Sequence, residues 1–284
     1  MTTLSLPAGS SWRDYLALTK PGIVLGNLVS VSGGLAVASH AAVLPASWPF
    51  ILLGSALVMA AGCVFNNVID RDIDRLMART RRRVLARDGL SPAAALLWGS
   101  LLLLAGFTLL LHHAPTLSVL MALTGFGIYV GPYSLYLKRH SSLGLWIGSV
   151  AGAMPPLIGY CAVHPHFDGG AWSLLALFCL WQIPHAQAIG ILHRDDYRRA
   201  ALPLPDPAPR RLAFPILAFG AASLLPYATG LTGAVYAWVM LALSAGWLVL
   251  LWRQRQGPLD RQGARCQFHY SLLAIMTVNA LLLF

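Results

Sequence analysis

The chain has 284 residues, of which 57% are hydrophobic and 11% charged, with a mean hydropathy of +0.65. A soluble domain covers its surface with roughly 25% charged residues, so this composition excludes a large soluble core and makes an integral membrane protein the default. The formal charge of +10 leaves two readings of the basic balance, nucleic acid binding or basic loops on one side of a membrane.

In chain order, Ser10 to Lys20 reads as a short amphipathic helix. Ser10 or Ser11 serves as its cap, and Trp12, Tyr15 and Leu16 share a face suited to the membrane interface. No basic stretch followed by an apolar run precedes it, so no cleaved signal peptide is expected. Apolar segments of spanning length follow: 22–42 (with Asn27 inside it), 48–69, 93–111, 117–137, 143–163, 172–192, 212–230, 234–252 and 268–284. Each is near the ~20 residues that a bilayer requires. Continuous apolar runs predict helices, since barrel strands would alternate. Cys63, Cys161, Cys179 and Cys266 have no metal-type spacing and read as packing residues.

With nine spans, all 20 Lys and Arg residues fall on one side. They precede the first span and follow the second, fourth, sixth and eighth. A miscount by one would scatter them, so the pattern supports both count and topology. The positive-inside rule then places the N-terminus and the basic loops in the cytoplasm and the C-terminus opposite. Topology thus explains the basic charge without nucleic acid. The ten acids are all Asp, and nine lie on the basic side. Asp does little for orientation and inserts at a cost, so Asp clustered at span ends requires another reason.

The densest cluster follows the second span: Asn66-Asn67-Val68-Ile69-Asp70-Arg71-Asp72-Ile73-Asp74-Arg75, then Arg79-Thr80 and Arg81-Arg82-Arg83, with Arg87 beyond. On a helix, Asn66, Asp70 and Asp74 keep one face through i, i+4, i+8 spacing. Two carboxylates and an amide oxygen on one stripe suit Mg²⁺, a hard cation usually shared with substrate phosphates. Asp72 points elsewhere and is expected to pair with Arg75 or Arg71. Arg79 and Arg83 lie one turn apart beyond the stripe and offer planar phosphate contacts. The competing reading is a solvated helix end with Asp–Arg pairs. Lys138-Arg139 after the fourth span, preceded by Tyr129, Tyr133 and Tyr136, forms a second cationic group on the same side.

A third region is Trp181-Gln182-Ile183-Pro184-His185, continuing to His193-Arg194-Asp195-Asp196-Tyr197. His185 is an ionisable group inside a span, beside a proline that frees backbone carbonyls. Asp196 closes the sixth span, expected level with Asp74.

The run NNVIDRDIDRLMARTRRRVL resembles the first signature, NxxxDxxxD, of the UbiA family of intramembrane prenyltransferases. LTKPGIVLGN, YSLYLKRHSSLG and WQIPHAQAIGILHRDDY add to a likeness that covers nearly the whole chain. One departure concerns the sixth span. Many members carry DxxxD there, whereas Leu192 stands four residues before Asp196; WQxPH and DY match the heme-modifying branch instead.

The resemblance implies one transmembrane prenyltransferase domain over 1–284, with an interfacial helix at 10–20 and a cytoplasmic motif loop at 70–92. It implies an all-α integral membrane protein, nine transmembrane helices bundled around a central cavity, in a bacterial inner membrane. The implied activity is Mg²⁺-dependent transfer of farnesyl from farnesyl diphosphate to heme B, a substrate rather than a cofactor. Lipid, and downstream heme A synthase or oxidase assembly factors, are the other implied partners. Asn66, Asp70, Asp74 and Asp196 are the implied metal ligands. Lys20, Asn66, Arg79, Arg83, Lys138 and Arg139 would meet the diphosphate, and His185 and Gln182 the heme. Asp70, Asp74, Asp196 and His185 would carry catalysis.

Three other classes compete. A UbiA-type enzyme for quinone precursors or chlorophyll-type tetrapyrroles is disfavoured by WQxPH and the missing DxxxD. A transporter would place acids near the midplane, and here they gather at one end. A heme-binding subunit would face several histidines within spans, and most of these lie in loops.

Overall fold

The computed structural model describes residues 11–40, 44–206 and 208–283. Among them the regular structure is helical throughout. Eight helices are long and apolar enough to cross a membrane: Pro21–Ala38, Trp48–Ile69, Pro92–His113, Thr116–His140, Leu143–Tyr160, Gly169–Leu192, Pro209–Ala228 and Ala234–Arg253. They are called spans one to eight. A ninth helix, Arg261–Leu282, equals them in length but opens on Arg261, Gln262 and Arg265. Its apolar part begins at Phe268, where the sequence placed the ninth span. Residues 41, 42 and 284, expected at span ends, lie outside the described residues, as does Ser10.

Local rules account for the ends. Ser11 caps the interfacial helix Trp12–Leu18 in a reciprocal box with Asp14. Span three starts with Pro92 behind a Ser91 cap, and span six starts behind an Asp168 cap. Span four loses the α-helical register at Gly131 (ψ −107°) and continues as a wider π-type helix over Tyr129–Leu137, which contains Pro132. Proline has no N–H to give to the turn above it, so the ladder opens there.

Span one packs on spans two and five and on the ninth helix. Span five packs on four and six, six on seven and the ninth helix, and seven on eight. The contact between spans one and five is backbone-close. A Cβ on Gly34 would lie 2.0 Å from the Pro156 carbonyl oxygen, and one on Gly159 2.0 Å from that of Val31. Large apolar side chains such as Leu104, Leu111, Phe214, Val235 and Trp238 face outward. Lipid tails suit such a surface and water does not. The protein is an all-α integral membrane protein.

Between spans one, two, four, five and six lies a cavity of about 420 Å³. Its walls include Val58, Phe126, Tyr129, Tyr133, Met154 and Ile158, with Asn27, Gln182 and His185 as polar members.

Candidate active site

The charged loops meet at one end of the bundle. Span two ends at Asp70 and a short helix, Arg71–Leu76, resumes at once, with the Asp74 N–H donating to the Asp70 carbonyl at 2.8 Å. The chain turns extended at Met77 and folds back through residues 77–90. Buried Val84, Leu85 and Leu90 anchor this return against Leu18, Val24 and Ala61. The Thr80 hydroxyl donates to the Asp74 carbonyl at 3.0 Å. Apolar anchoring thus sets where the arginines stand.

Asn66 is 3% exposed, Asp70 0% and Asp74 2%, which is unusual for carboxylates. Burial of charge is tolerated only with partners, and partners converge from three spans. The Lys20 ammonium donates to the Asn66 side-chain oxygen at 2.7 Å. The Asn66 amide donates to Asp70 at 2.8 Å and to the Ser134 hydroxyl at 3.1 Å. Lys138 pairs with Asp70 through the oxygen that Asn66 also contacts. One guanidinium nitrogen of Arg83 donates to both oxygens of Asp74, at 3.0 and 2.8 Å. Lys20 holds a left-handed conformation (φ 50°) at the turn into span one. Burial pulls its ammonium down to about 8, with Arg83 and Lys138 adding repulsion against the pull of Cys63 and Asp70.

Among the described residues one buried carboxylate oxygen is left over. Asp70 Oδ1 has no hydrogen-bond partner; Arg139 stands 4.0 Å from it. An unpartnered carboxylate oxygen costs free energy unless something cationic meets it. The Asp and Asn oxygens here form a hard donor set of the kind Mg²⁺ takes. Among the described residues no three His, Cys or Asp side chains are grouped to hold a metal by themselves. An ion here would need the amide oxygen and oxygens from a bound anion to complete its shell.

Other expected residues are placed differently. Asp72 pairs with Arg139 at 2.7 Å and not with Arg71 or Arg75, because both of those reach Asp88. Arg139 is thereby turned outward from the cluster that Lys138 enters. Asp196 accepts the backbone N–H groups of Ala78 at 2.8 Å and Arg79 at 3.2 Å, so its carboxylate latches the arginine loop to the end of span six. Arg79 itself is exposed. Ile73, Met77, Ala200 and Leu202 close an apolar cluster beneath this latch, with Tyr197 packed on it.

His185 lies across the cavity. Its Nδ1 is 2.8 Å from the Ser271 hydroxyl, and its ring stacks between Trp181 and Phe268, with centroids 4.7 and 5.2 Å away. Gln182 Oε1 is buried without a partner. In this position it lies where a Cβ on Gly152 would sit 1.7 Å away, so the glycine leaves it room.

The sequence profile of the UbiA prenyltransferase family matches residues 27–273. The chain belongs to this family. Relatives named protoheme IX farnesyltransferase from Cronobacter sakazakii and Escherichia coli K12 are each 45% identical, over 276 and 277 residues, covering 95% of this chain and 94% of theirs. Solved structures share the fold at lower identity. A digeranylgeranylglyceryl phosphate synthase superposes with a TM-score of 0.77 at 16% identity, over 95% of this chain and 96% of that one. A UbiA homolog from Archaeoglobus fulgidus bound to GPP and Mg²⁺ gives 0.70 at 18% identity, over 95% and 99%.

Within this UbiA fold, Lys20, Asn66, Asp70, Asp74, Arg83 and Lys138 form one buried polar region, with Asp196 at its border. Ser134 and Ser271 belong to the two polar groups and escaped the sequence reading. Ser134 stands one turn before Lys138, a spacing that pointed toward it. Ser271 carried no such signal.

Proposed function

We propose that this UbiA-family chain transfers the farnesyl group of farnesyl diphosphate to a vinyl group of heme B, with addition of water, giving heme O and diphosphate. The observation that carries it is the junction of two unlike environments. A cation-rich pocket with a spare carboxylate oxygen on Asp70 adjoins an aromatic cavity whose few polar groups include His185 and Gln182. A diphosphate with an apolar tail suits both, and relatives named for this activity share 45% of the sequence.

Asn66, Asp70 and Asp74 would hold Mg²⁺, with Asp196 beside them. A UbiA homolog of the same fold is bound to GPP and Mg²⁺, which supports a metal in a site of this kind without naming its ligands. Mg²⁺, when bound, neutralises diphosphate charge and favours its departure. Lys20, Arg83 and Lys138 bind the same oxygens and stabilise the charge that builds as the C1–O bond breaks. Arg79 and Arg139, at the rim, attract the anion from solution. Tyr129, Tyr133 and Phe126 line the cavity where C1 becomes cationic, and their ring faces stabilise it while apolar walls exclude water. The terminal vinyl carbon bonds to C1. Water then captures the cation on the adjacent carbon and releases a proton. His185 and Gln182 orient the tetrapyrrole.

The basic loops face the cytoplasm by the positive-inside rule, which puts both charged substrates on that side. The test is incubation of the purified protein in nanodiscs with heme B, farnesyl diphosphate and Mg²⁺. The expected product is heavier than heme B by a hydroxylated farnesyl unit in mass spectrometry. Unconverted heme, with prenylation of an aromatic acid instead, overturns the reading.

A further inference from the structure

Ser271 lies on the ninth helix, 86 residues from His185, and makes three hydrogen bonds around it. Its hydroxyl donates to the Phe268 carbonyl at 2.6 Å. Its oxygen lies 2.8 Å from His185 Nδ1. Its carbonyl accepts the Trp181 indole N–H at 2.7 Å. A serine hydroxyl carries one proton. That proton is spent on the carbonyl one turn back, as serines in helices commonly do. The oxygen is left to accept, so Nδ1 of His185 must donate.

From this geometry we infer that Ser271 is a positioning residue, holding His185 as the Nδ1–H tautomer with the Nε2 lone pair free for the cavity. Nε2 has no protein partner among the described residues, and His185 lines the cavity wall. The ring is fixed in orientation as well as in tautomer. Trp181 stacks on it with 22° between planes and Phe268 with 29°. Trp181 is itself tied to the Ser271 carbonyl, so one residue of the ninth helix secures both members of an i, i+4 pair on span six. The arrangement parallels the way a second hydrogen bond selects which histidine nitrogen is offered to a metal or proton. A free Nε2 can bind a heme iron or accept a proton from water; the alternative tautomer can do neither there.

The tautomer assignment stands without any substrate. Its consequence for heme rests on the function proposed above, and the two are tested separately. The first measurement is the ¹⁵N spectrum of histidine-labelled protein in nanodiscs, with His185 assigned by its loss in His185→Gln. A pyrrole-type Nδ1 and a pyridine-type Nε2 are expected in the parent and in Ser271→Thr, which keeps the hydroxyl. Ser271→Ala is expected to mix or reverse them. A pyridine-type Nδ1 in the parent, or an unchanged pattern in Ser271→Ala, overturns the inference. The second is a Soret titration with heme B. An approximately tenfold weaker Kd is expected in Ser271→Ala, restored in Ser271→Thr, since a disrupted ligand-orienting contact typically costs ~10–100-fold. Unaltered heme binding in both Ser271→Ala and His185→Gln overturns the heme role of the pair and leaves the tautomer result to stand or fall by the first measurement.

Discussion

The Asp196 carboxylate accepts the backbone N–H of Ala78 at 2.8 Å, across 118 residues of sequence, and that of Arg79 beside it. The contact ties the arginine loop after span two to the end of span six. Asp196→Ala removes both acceptors, at a cost of ~0.5–1.5 kcal/mol for each hydrogen bond lost. The loop should open, and trypsin should cut faster among Arg79–Arg83. Asp196→Asn retains one acceptor and should be intermediate. Trypsin cleavage unchanged in Asp196→Ala would remove the latch, and a raised Mg²⁺ requirement without faster cleavage would instead make Asp196 a metal ligand.

The spans were legible because lipid leaves no choice of composition: each crossing is a continuous apolar run, and twenty cations sort to one side. Helical spacing singled out Asn66, Asp70 and Asp74 in the sequence, although the helix is interrupted at Asp70. The pairing of the neighbouring charges was not legible there. Asp72 meets Arg139 only because Arg71 and Arg75 are drawn to Asp88 on the returning loop, a competition that depends on where buried Leu85 and Leu90 pin that loop. Ser134 and Ser271 contact residues 68 and 86 positions away. A hydroxyl in an apolar run has neither charge nor period to announce it.

Asp70 and Asp74 should be essential in different ways. Asp70→Asn removes charge from the one carboxylate among the described residues with a spare buried oxygen, so turnover should fall ~100-fold or more, in line with loss of preorganised charge stabilisation, and half-saturating Mg²⁺ should rise. Asp74→Asn also frees Arg83, so the KM for farnesyl diphosphate should change together with turnover. EDTA should abolish product formation and Mg²⁺ restore it. Heme O formation with the metal chelated, or near-parental rates in either variant, would end the assignment.

Spans one and five touch through backbone. Gly159→Ala would put a methyl 2.0 Å from the Val31 carbonyl oxygen, with no flexible side chain to yield. The helices must separate, and overpacking of this kind costs ~1–3 kcal/mol. A lower thermal midpoint in detergent is expected. Gly127→Ala, where a Cβ meets nothing within 4 Å, should match the parent, and equal midpoints for both variants would show that the close approach is wrong.

At the opposite end of the bundle, Asp168 caps span six, accepting the Ala171 N–H at 3.0 Å and the Tyr160 hydroxyl at 2.9 Å. Burial alone would raise its pKa, but the Ala171 and Tyr160 hydrogen bonds, with His164 nearby, outweigh burial and hold it below the usual value. A carboxyl depressed on folding contributes stability above its unfolded value near ~3.9 and loses it as the pH falls through the folded value. The parent should therefore show a falling thermal midpoint below about pH 4 that Asp168→Asn lacks in part. Asp168→Ala, which removes the cap that Asn keeps, should cost ~0.5–2 kcal/mol at pH 7, the usual worth of a helix cap. Should the parent and Asp168→Asn lose stability in parallel from pH 5 to pH 3, the carboxyl of Asp168 is not the group that titrates.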